Sequence, residues 1–137
     1  MIHPNDEALL KAAQEARDKA YAVYSQFRVG AALRTQDGTI ITGCNVENGS
    51  YGLSICAERT AIVRAVAMGY TKFDTIAVVA DPLATPCGAC REFIIEFGQE
   101  IRVLCADANN LSRAQIWKIA ELLPNSFDRS SLPNRGA

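Results

Sequence analysis

The stretch Cys56-Ala57-Glu58-Arg59-Thr60 is followed further along the chain by Pro86-Cys87-Gly88-Ala89-Cys90. Three thiols and one carboxylate so spaced have the means to bind a metal and move a proton. Cys87 and Cys90, three apart at the start of a predicted helix, put both sulfurs on one face, one turn apart. Cys56 falls at the start of another predicted helix, close to Ser54, a candidate N-cap. Two helix N-termini aimed at one point favour thiolate over thiol, because unpaired N–H groups and aligned peptide dipoles stabilise negative charge. Three thiolates suit zinc, and three protein ligands instead of four leave an open coordination position, as in a catalytic centre. A C-x-x-C pair is otherwise a buried thiol pair or half of a structural zinc site. Glu58 favours catalysis: beside three thiolates it adds negative charge that a structural site would bury at a cost, whereas it suits proton transfer to and from a metal-activated water. His3 is the one histidine and lies at the terminus, a poor position for a ligand. Cys44 and Cys105 fall on predicted strands among apolar neighbours and read as buried core thiols.

The elements that must hold these residues follow from periodicity. Pro4-Asn5-Asp6-Glu7 opens a helix whose apolar stripe runs through Leu9, Ala13, Ala16, Ala20 and Tyr24. Residues 28–35 and 39–44 flank Gln36-Asp37-Gly38, and an Asp-Gly between two apolar runs predicts an antiparallel hairpin. A loop rich in Asn, Gly and Ser follows, then a helix over 56–68 that stops at Gly69. Residues 75–80 read as a buried strand and 87–97 as a helix, with Thr85 as N-cap, Pro86 at the first helical position and Gly98 closing it. Residues 101–106 read as a further buried strand, so strand and helix alternate as in an α/β sheet. The apolar spacing of 111–123 fits either a helix or a strand at 115–119 with a short helix after it. The polar tail 128–137 reads as flexible. No repeat, linker or low-complexity segment interrupts the chain.

At 137 residues the chain suits one domain, 1–137, with a core large enough to need no disulfide. Its 49% hydrophobic and 21% charged content is that of a globular protein, and a net charge of −1 gives no electrostatic reason to expect nucleic acid or membrane as a partner. No signal-like segment opens the chain, and its apolar runs are too short to span a bilayer. A cytoplasmic location follows as the expectation, and there five cysteines read as ligands or buried thiols, not disulfides.

With these residues in view, the sequence resembles the small homotetrameric cytidine deaminases, in their all-cysteine zinc branch. The resemblance runs along nearly the whole chain: Phe27-Arg28-Val29-Gly30-Ala31-Ala32, Gly43-Cys44-Asn45-Val46-Glu47-Asn48, Cys56-Ala57-Glu58-Arg59-Thr60-Ala61, Pro86-Cys87-Gly88-Ala89-Cys90-Arg91 and Glu121-Leu122-Leu123-Pro124-Asn125-Ser126-Phe127, in the family's order and approximate spacing. Zinc deaminases of bases carry H-x-E before P-C-x-x-C, and here cysteine takes the histidine position. The resemblance implies a three-layer α/β/α sandwich around a mixed five-stranded sheet, which makes 115–119 a strand.

It also implies zinc-dependent hydrolytic deamination of cytidine and deoxycytidine to uridine and deoxyuridine in pyrimidine salvage. One zinc per subunit would lie on Cys56, Cys87 and Cys90, and Glu58 would shuttle protons among the water, ring N3 and the departing amine. Asn45 and Glu47 match the pair that holds the ribose 3′ hydroxyl, Phe27 the ring that packs on the base, and Ala57 the backbone N–H that bonds the C2 carbonyl. The Gly49, Tyr51 and Phe127 positions reach a neighbouring subunit's site, which implies a homotetramer with shared active sites. Departures are mild: Gly52 stands where proline is frequent, Thr85 where serine is, and Arg91-Glu92 where Arg-Gln is.

Charge adds an expectation of its own. Zinc with three thiolates is formally −1, a weaker acid toward water than zinc on neutral imidazoles. Arg59, next to Glu58 on the helix that Cys56 opens, is expected to hydrogen-bond a ligand sulfur and offset that charge. The competing functions are a deaminase of the same fold for another aminated base or nucleoside, such as blasticidin S, and a structural zinc or binding module without turnover. Asn45 and Glu47 as a sugar clamp disfavour the first; Glu58 with three ligands disfavours the second.

Overall fold

The computed structural model describes residues 2–133. Helix α1, Pro4–Arg17, starts with proline where a missing N–H is harmless and carries Asp6 and Glu7 in its first turn, where carboxylates oppose the positive end of the helix dipole. Leu9, Leu10, Ala13 and Ala16 form its buried stripe. The helix ends before Ala20 and Tyr24, so the predicted stripe overran it by two turns. Strands β1 (Val29–Thr35) and β2 (Ile40–Cys44) pair antiparallel. Gly38 between them adopts φ 89°, the left-handed backbone that such a tight turn needs.

Helix α2 (Ala57–Ala67), strand β3 (Phe73–Ala80), helix α3 (Gly88–Ile95), strands β4 (Arg102–Asp107) and β5 (Asn110–Lys118) and the single turn α4 (Ile119–Leu122) complete the main elements. The ambiguous stretch 111–123 is thus a strand followed by a short helix, the strand starting earlier than 115. Two 3-10 turns lie at Tyr51–Leu53 and Arg129–Ser131. The second opens the tail expected to be flexible; residues 134–137 of that tail lie outside the described residues. Among the described residues no helix is long and apolar enough to cross a membrane.

The five strands form one sheet in the order β2-β1-β3-β4-β5, antiparallel except for the β3–β4 pair, which is parallel. This is the mixed sheet of an α/β fold. Because successive side chains alternate faces, Ile76 and Val78 of β3 meet one layer while Ala77 and Val79 meet the other. The first face, with Leu33, Ile41, Val103 and Cys105, packs on α2 and α3. The second is built of small residues, Ala32, Ala77 and Ala106 among them, and lets α1 lie close through Leu9, Leu10 and Ala13.

Two glycines fix how near the helices come. A Cβ built on Gly30 would lie 1.9 Å from the Ala13 carbonyl oxygen, and one on Gly43 would lie 2.7 Å from the Ala57 carbonyl oxygen. Any larger residue would push α1 or α2 off the sheet.

The register gathers particular chain ends. Val29, which starts β1, faces Ala80, which ends β3. Gly30 faces Cys44 at the end of β2, and Ala80 faces Asp107 at the end of β4. The segments that carry Phe27, Asn45, Glu47 and Cys87 therefore leave the sheet at the same edge.

Candidate active site

Cys56 is itself the N-cap of α2, and Cys87 is the N-cap of α3, each with extended backbone. The predicted caps Ser54 and Thr85 are elsewhere engaged: the Ser54 hydroxyl accepts the Asn48 N–H at 3.1 Å and the Thr85 hydroxyl accepts from Arg91 Nη2 at 3.1 Å. Neither sulfur takes a capping hydrogen bond from its helix, so both are left to meet each other ahead of the two first turns. The predicted helix at 87–97 accordingly starts one residue later, at Gly88, and Pro86 lies outside it.

Cys90 follows in the first turn of α3, and its sulfur lies within 4.8 Å of both others, with Cys56 and Cys87 3.7 Å apart. Ligand sulfurs about 2.3 Å from a tetrahedral metal stand about 3.8 Å from one another, so the cluster has the dimensions for zinc. Three soft thiolates also match zinc in ligand preference. Among the described residues no other group of His, Cys, Asp or Glu comes together in this way. The neighbouring Cys90 thiol foremost, and next the Arg59 guanidinium, hold the Cys56 thiol down to about 5; Cys90, beside Cys56 and buried, is raised in turn.

Glu58 occupies the first turn of α2 and is 4% exposed. Burial, with the negative Cys56 adding to it, pushes its carboxyl up to about 7. Such a group both takes and releases a proton near neutral pH. Arg59 Nη2 donates to the Cys56 sulfur at 3.5 Å, the contact anticipated from charge, while its Nε is buried without a partner among the described residues. Ala57, fully buried, is the first residue of α2, where a backbone N–H has no intrahelical acceptor.

Next to this centre lies a polar loop system. Asn45 Oδ1 accepts the Val29 N–H at 2.9 Å and its Nδ2 donates to the Phe27 carbonyl at 2.8 Å. Among the described residues, one amide hydrogen and one lone pair of Asn45 have no further partner. Glu47 Oε1 accepts the N–H groups of Tyr24 and Ser25 at 2.9 and 3.0 Å, and Oε2 accepts the Ser25 hydroxyl. These bonds, the Ser25 hydroxyl foremost, hold the Glu47 carboxyl below its usual range. Glu47, Tyr24, Ser25, Asn48, Tyr51 and Ser54 line a cavity of about 240 Å³. Tyr51, 76% exposed, meets Tyr24 edge-on with centroids 5.9 Å apart, and Gly49 leaves just enough room for the Tyr24 hydroxyl.

Ser25 and Arg91 were not foreseen as site residues. Arg91 donates from Nε to the Pro86 carbonyl at 2.8 Å and from Nη1 to the Leu122 carbonyl at 2.9 Å, tying the loop ahead of Cys87 to the segment that leads to Phe127. Phe127 itself stands 62% exposed. Of the two expected core thiols, Cys105 is fully buried, with its thiol pushed up to about 12 by burial. Cys44 is only partly buried; it lies at the end of the edge strand β2 and donates to the Lys19 carbonyl.

Comparison with known proteins places these features. Residues 3–106 match the family described as the cytidine and deoxycytidylate deaminase zinc-binding region. A probable cytidine deaminase of Dictyostelium discoideum is 46% identical over 129 residues, 92% of this chain and 86% of that protein. A cytidine deaminase of Sporosarcina psychrophila is 43% identical over 128 residues, 92% of this chain and 93% of its own. The crystal structure of a cytidine deaminase from Burkholderia pseudomallei superposes with a TM-score of 0.84 at 47% identity, covering 93% of this chain and all of that one.

Proposed function

This chain belongs to the cytidine and deoxycytidylate deaminase family, and from that premise we propose that it hydrolyses the exocyclic C4–N bond of cytidine and deoxycytidine, giving uridine and deoxyuridine with release of ammonia. The observation that carries the proposal is the buried Glu58, two residues from Cys56 in a cluster of three sulfurs spaced for a tetrahedral metal. Zinc on Cys56, Cys87 and Cys90 supplies Lewis acidity toward the attacking water.

The remaining work belongs to the chain's own groups. Glu58 takes the proton that water gives up as oxygen bonds to C4 and passes it to ring N3; it then takes the second proton from the new C4 hydroxyl and delivers it to the amine, so that ammonia leaves as the C4 carbonyl forms. The Ala57 N–H, at the positive end of α2, bonds the C2 carbonyl in this reading. Phe27 packs on the base, and Asn45 and Glu47 take the ribose 3′ hydroxyl. Arg59 offsets the negative charge of the thiolates through its contact with Cys56.

The unit of function in this reading is a homotetramer of single-domain chains, with Gly49, Tyr51 and Phe127 completing neighbouring sites, acting in the cytoplasm in pyrimidine salvage. Supporting assembly, Tyr51, Leu53, Phe127 and, on α2 and α3, Val63, Val66 and Phe93 leave apolar surface exposed, and a cleft of about 450 Å³ runs beside Phe93 and Phe97. An ammonia-release assay across cytidine, deoxycytidine, cytosine, deoxycytidine monophosphate, adenosine and blasticidin S tests the substrate. Turnover confined to cytidine and deoxycytidine is expected; preference for blasticidin S or the monophosphate would refute the assignment.

A further inference from the structure

We propose that Ser25 is a positioning residue that determines how the enzyme reads the sugar of its substrate. This rests on the reading of Glu47 as the carboxylate that takes the 3′ hydroxyl. Ser25 has one hydroxyl proton, and the structure directs it to Glu47 Oε2. The Ser25 hydroxyl oxygen in turn accepts the Phe27 N–H at 3.0 Å. A single hydroxyl thus joins the sugar-reading carboxylate to the backbone of the ring that packs on the base.

The loop is built to keep Ser25 there. Gln26, next in sequence, adopts φ 63°, a left-handed conformation uncommon outside glycine, and its N–H bonds the Ala22 carbonyl at 3.0 Å. That turn presents the N–H groups of Tyr24 and Ser25 and the Ser25 hydroxyl to one carboxylate. Asn45 secures the far side of the loop through the Phe27 carbonyl and the Val29 N–H.

The arithmetic of lone pairs then bears on specificity. A carboxylate has about four acceptor sites, and three on Glu47 are filled by the Tyr24 N–H, the Ser25 N–H and the Ser25 hydroxyl. The fourth, on Oε2, remains for a ligand group that donates. With Ser25 in place Oε2 offers one site, aimed by the bond to Ser25; without it the oxygen has two unfilled sites, and the carboxylate is held only through Oε1 by the Tyr24 and Ser25 N–H groups. Discrimination for a sugar hydroxyl would weaken, while the proton chemistry at Glu58 would not change.

The experiment compares Ser25→Ala, Ser25→Thr and Glu47→Gln, each measured with cytidine and 3′-deoxycytidine. Ser25→Ala should raise the KM for cytidine about tenfold, the loss of one charge-assisted hydrogen bond, with kcat changed about twofold or less. The KM for 3′-deoxycytidine should rise far less, so the preference for cytidine narrows. Ser25→Thr, which keeps the hydroxyl at an exposed position, should restore the parent values. Thermal melting and zinc content of each variant report any general damage. An unchanged cytidine KM in Ser25→Ala, or an equal rise for both nucleosides, overturns the role of Ser25. Should Glu47→Gln leave the cytidine preference intact, the reading of Glu47 itself fails; a preference lost in Glu47→Gln but kept in Ser25→Ala condemns only the inference about Ser25.

Discussion

Gly43 and Ala61 stand so close that a Cβ built on the glycine would lie 2.4 Å from the Ala61 nitrogen. This backbone-on-backbone contact holds α2 against β2, and α2 begins with the residues that carry the chemistry. Gly43→Ala should therefore displace the helix. Overpacking of this kind costs about 1–3 kcal/mol, so we expect a lower melting temperature together with a loss of turnover. Gly52→Ala, where an added Cβ meets nothing within 4 Å, should leave the melting temperature unmoved. Equal stability of the two variants would argue against the close contact.

Glu58→Gln should keep the fold and the metal but lower turnover by about 10²–10⁴-fold, the usual contribution of a general acid-base, because an amide cannot carry the proton. Arg59→Gln should lower turnover less, by about 10–100-fold as for other groups that support metal ligands, again with metal retained. Metal analysis beside steady-state kinetics checks both. Turnover within about tenfold of the parent for Glu58→Gln would exclude the shuttle.

Asp6 gives the pH dependence of stability. Its carboxylate is fully buried and takes two bonds from Arg102, at 3.0 and 2.8 Å, with Arg34 at 3.8 Å. The Arg102 hydrogen bonds, against the cost of burial, hold its carboxyl below the ordinary aspartate value. Between the two values the unfolded chain binds more protons than the folded one, so stability rises with pH there. The contribution is complete above the unfolded value of about 3.9 and disappears as pH falls through the lower folded value. Asp6→Asn should flatten this acid limb in denaturant titrations, and Asp6→Ala should cost about 3 kcal/mol at neutral pH by leaving Arg102 without its partner.

Phe127 tests the shared site. If the proposed tetramer shares its sites, Glu58→Gln subunits mixed with Phe127→Ala subunits should regain activity, because a mixed assembly then pairs an intact glutamate with an intact phenylalanine. Phe127→Ala alone should weaken substrate affinity, as loss of an interface aromatic does. Light scattering showing a fully active monomer would refute shared sites, and a tetramer without recovery after verified exchange would confine Phe127 to its own chain.

Much of this architecture was legible in local pattern. The hairpin at Asp37-Gly38, the buried strands and the sulfur cluster all follow from spacing within short windows, and Glu58 stood out because a carboxylate beside thiolates needs a reason. What escaped the sequence depends on contacts across the fold. Cysteine is not an ordinary N-cap, so local pattern favours Ser54 and Thr85, whose hydroxyls instead bond Asn48 and Arg91. Strand β5 is half-exposed along most of its length, so its apolar positions alternate poorly. Cys44 has strand-like neighbours yet sits at a sheet edge, where one flank lacks cover. Ser25 and Arg91 act on partners 22 and 31 positions away, which no local periodicity reports.

The two cysteine caps also tie together points of the chain 31 residues apart, with all of β3 lying between them. A metal that bridges them is a crosslink, and what it restrains most is the unfolded chain, whose freedom falls when a loop of that length is closed. In chain-entropy terms this amounts to about 3–4 kcal/mol, comparable to a disulfide around the same loop. Chelation should then do more than silence the enzyme: it should lower the melting temperature, and added zinc should restore it. A melting temperature indifferent to the chelator, with metal loss verified, would mean that packing alone holds α2 and α3 in place.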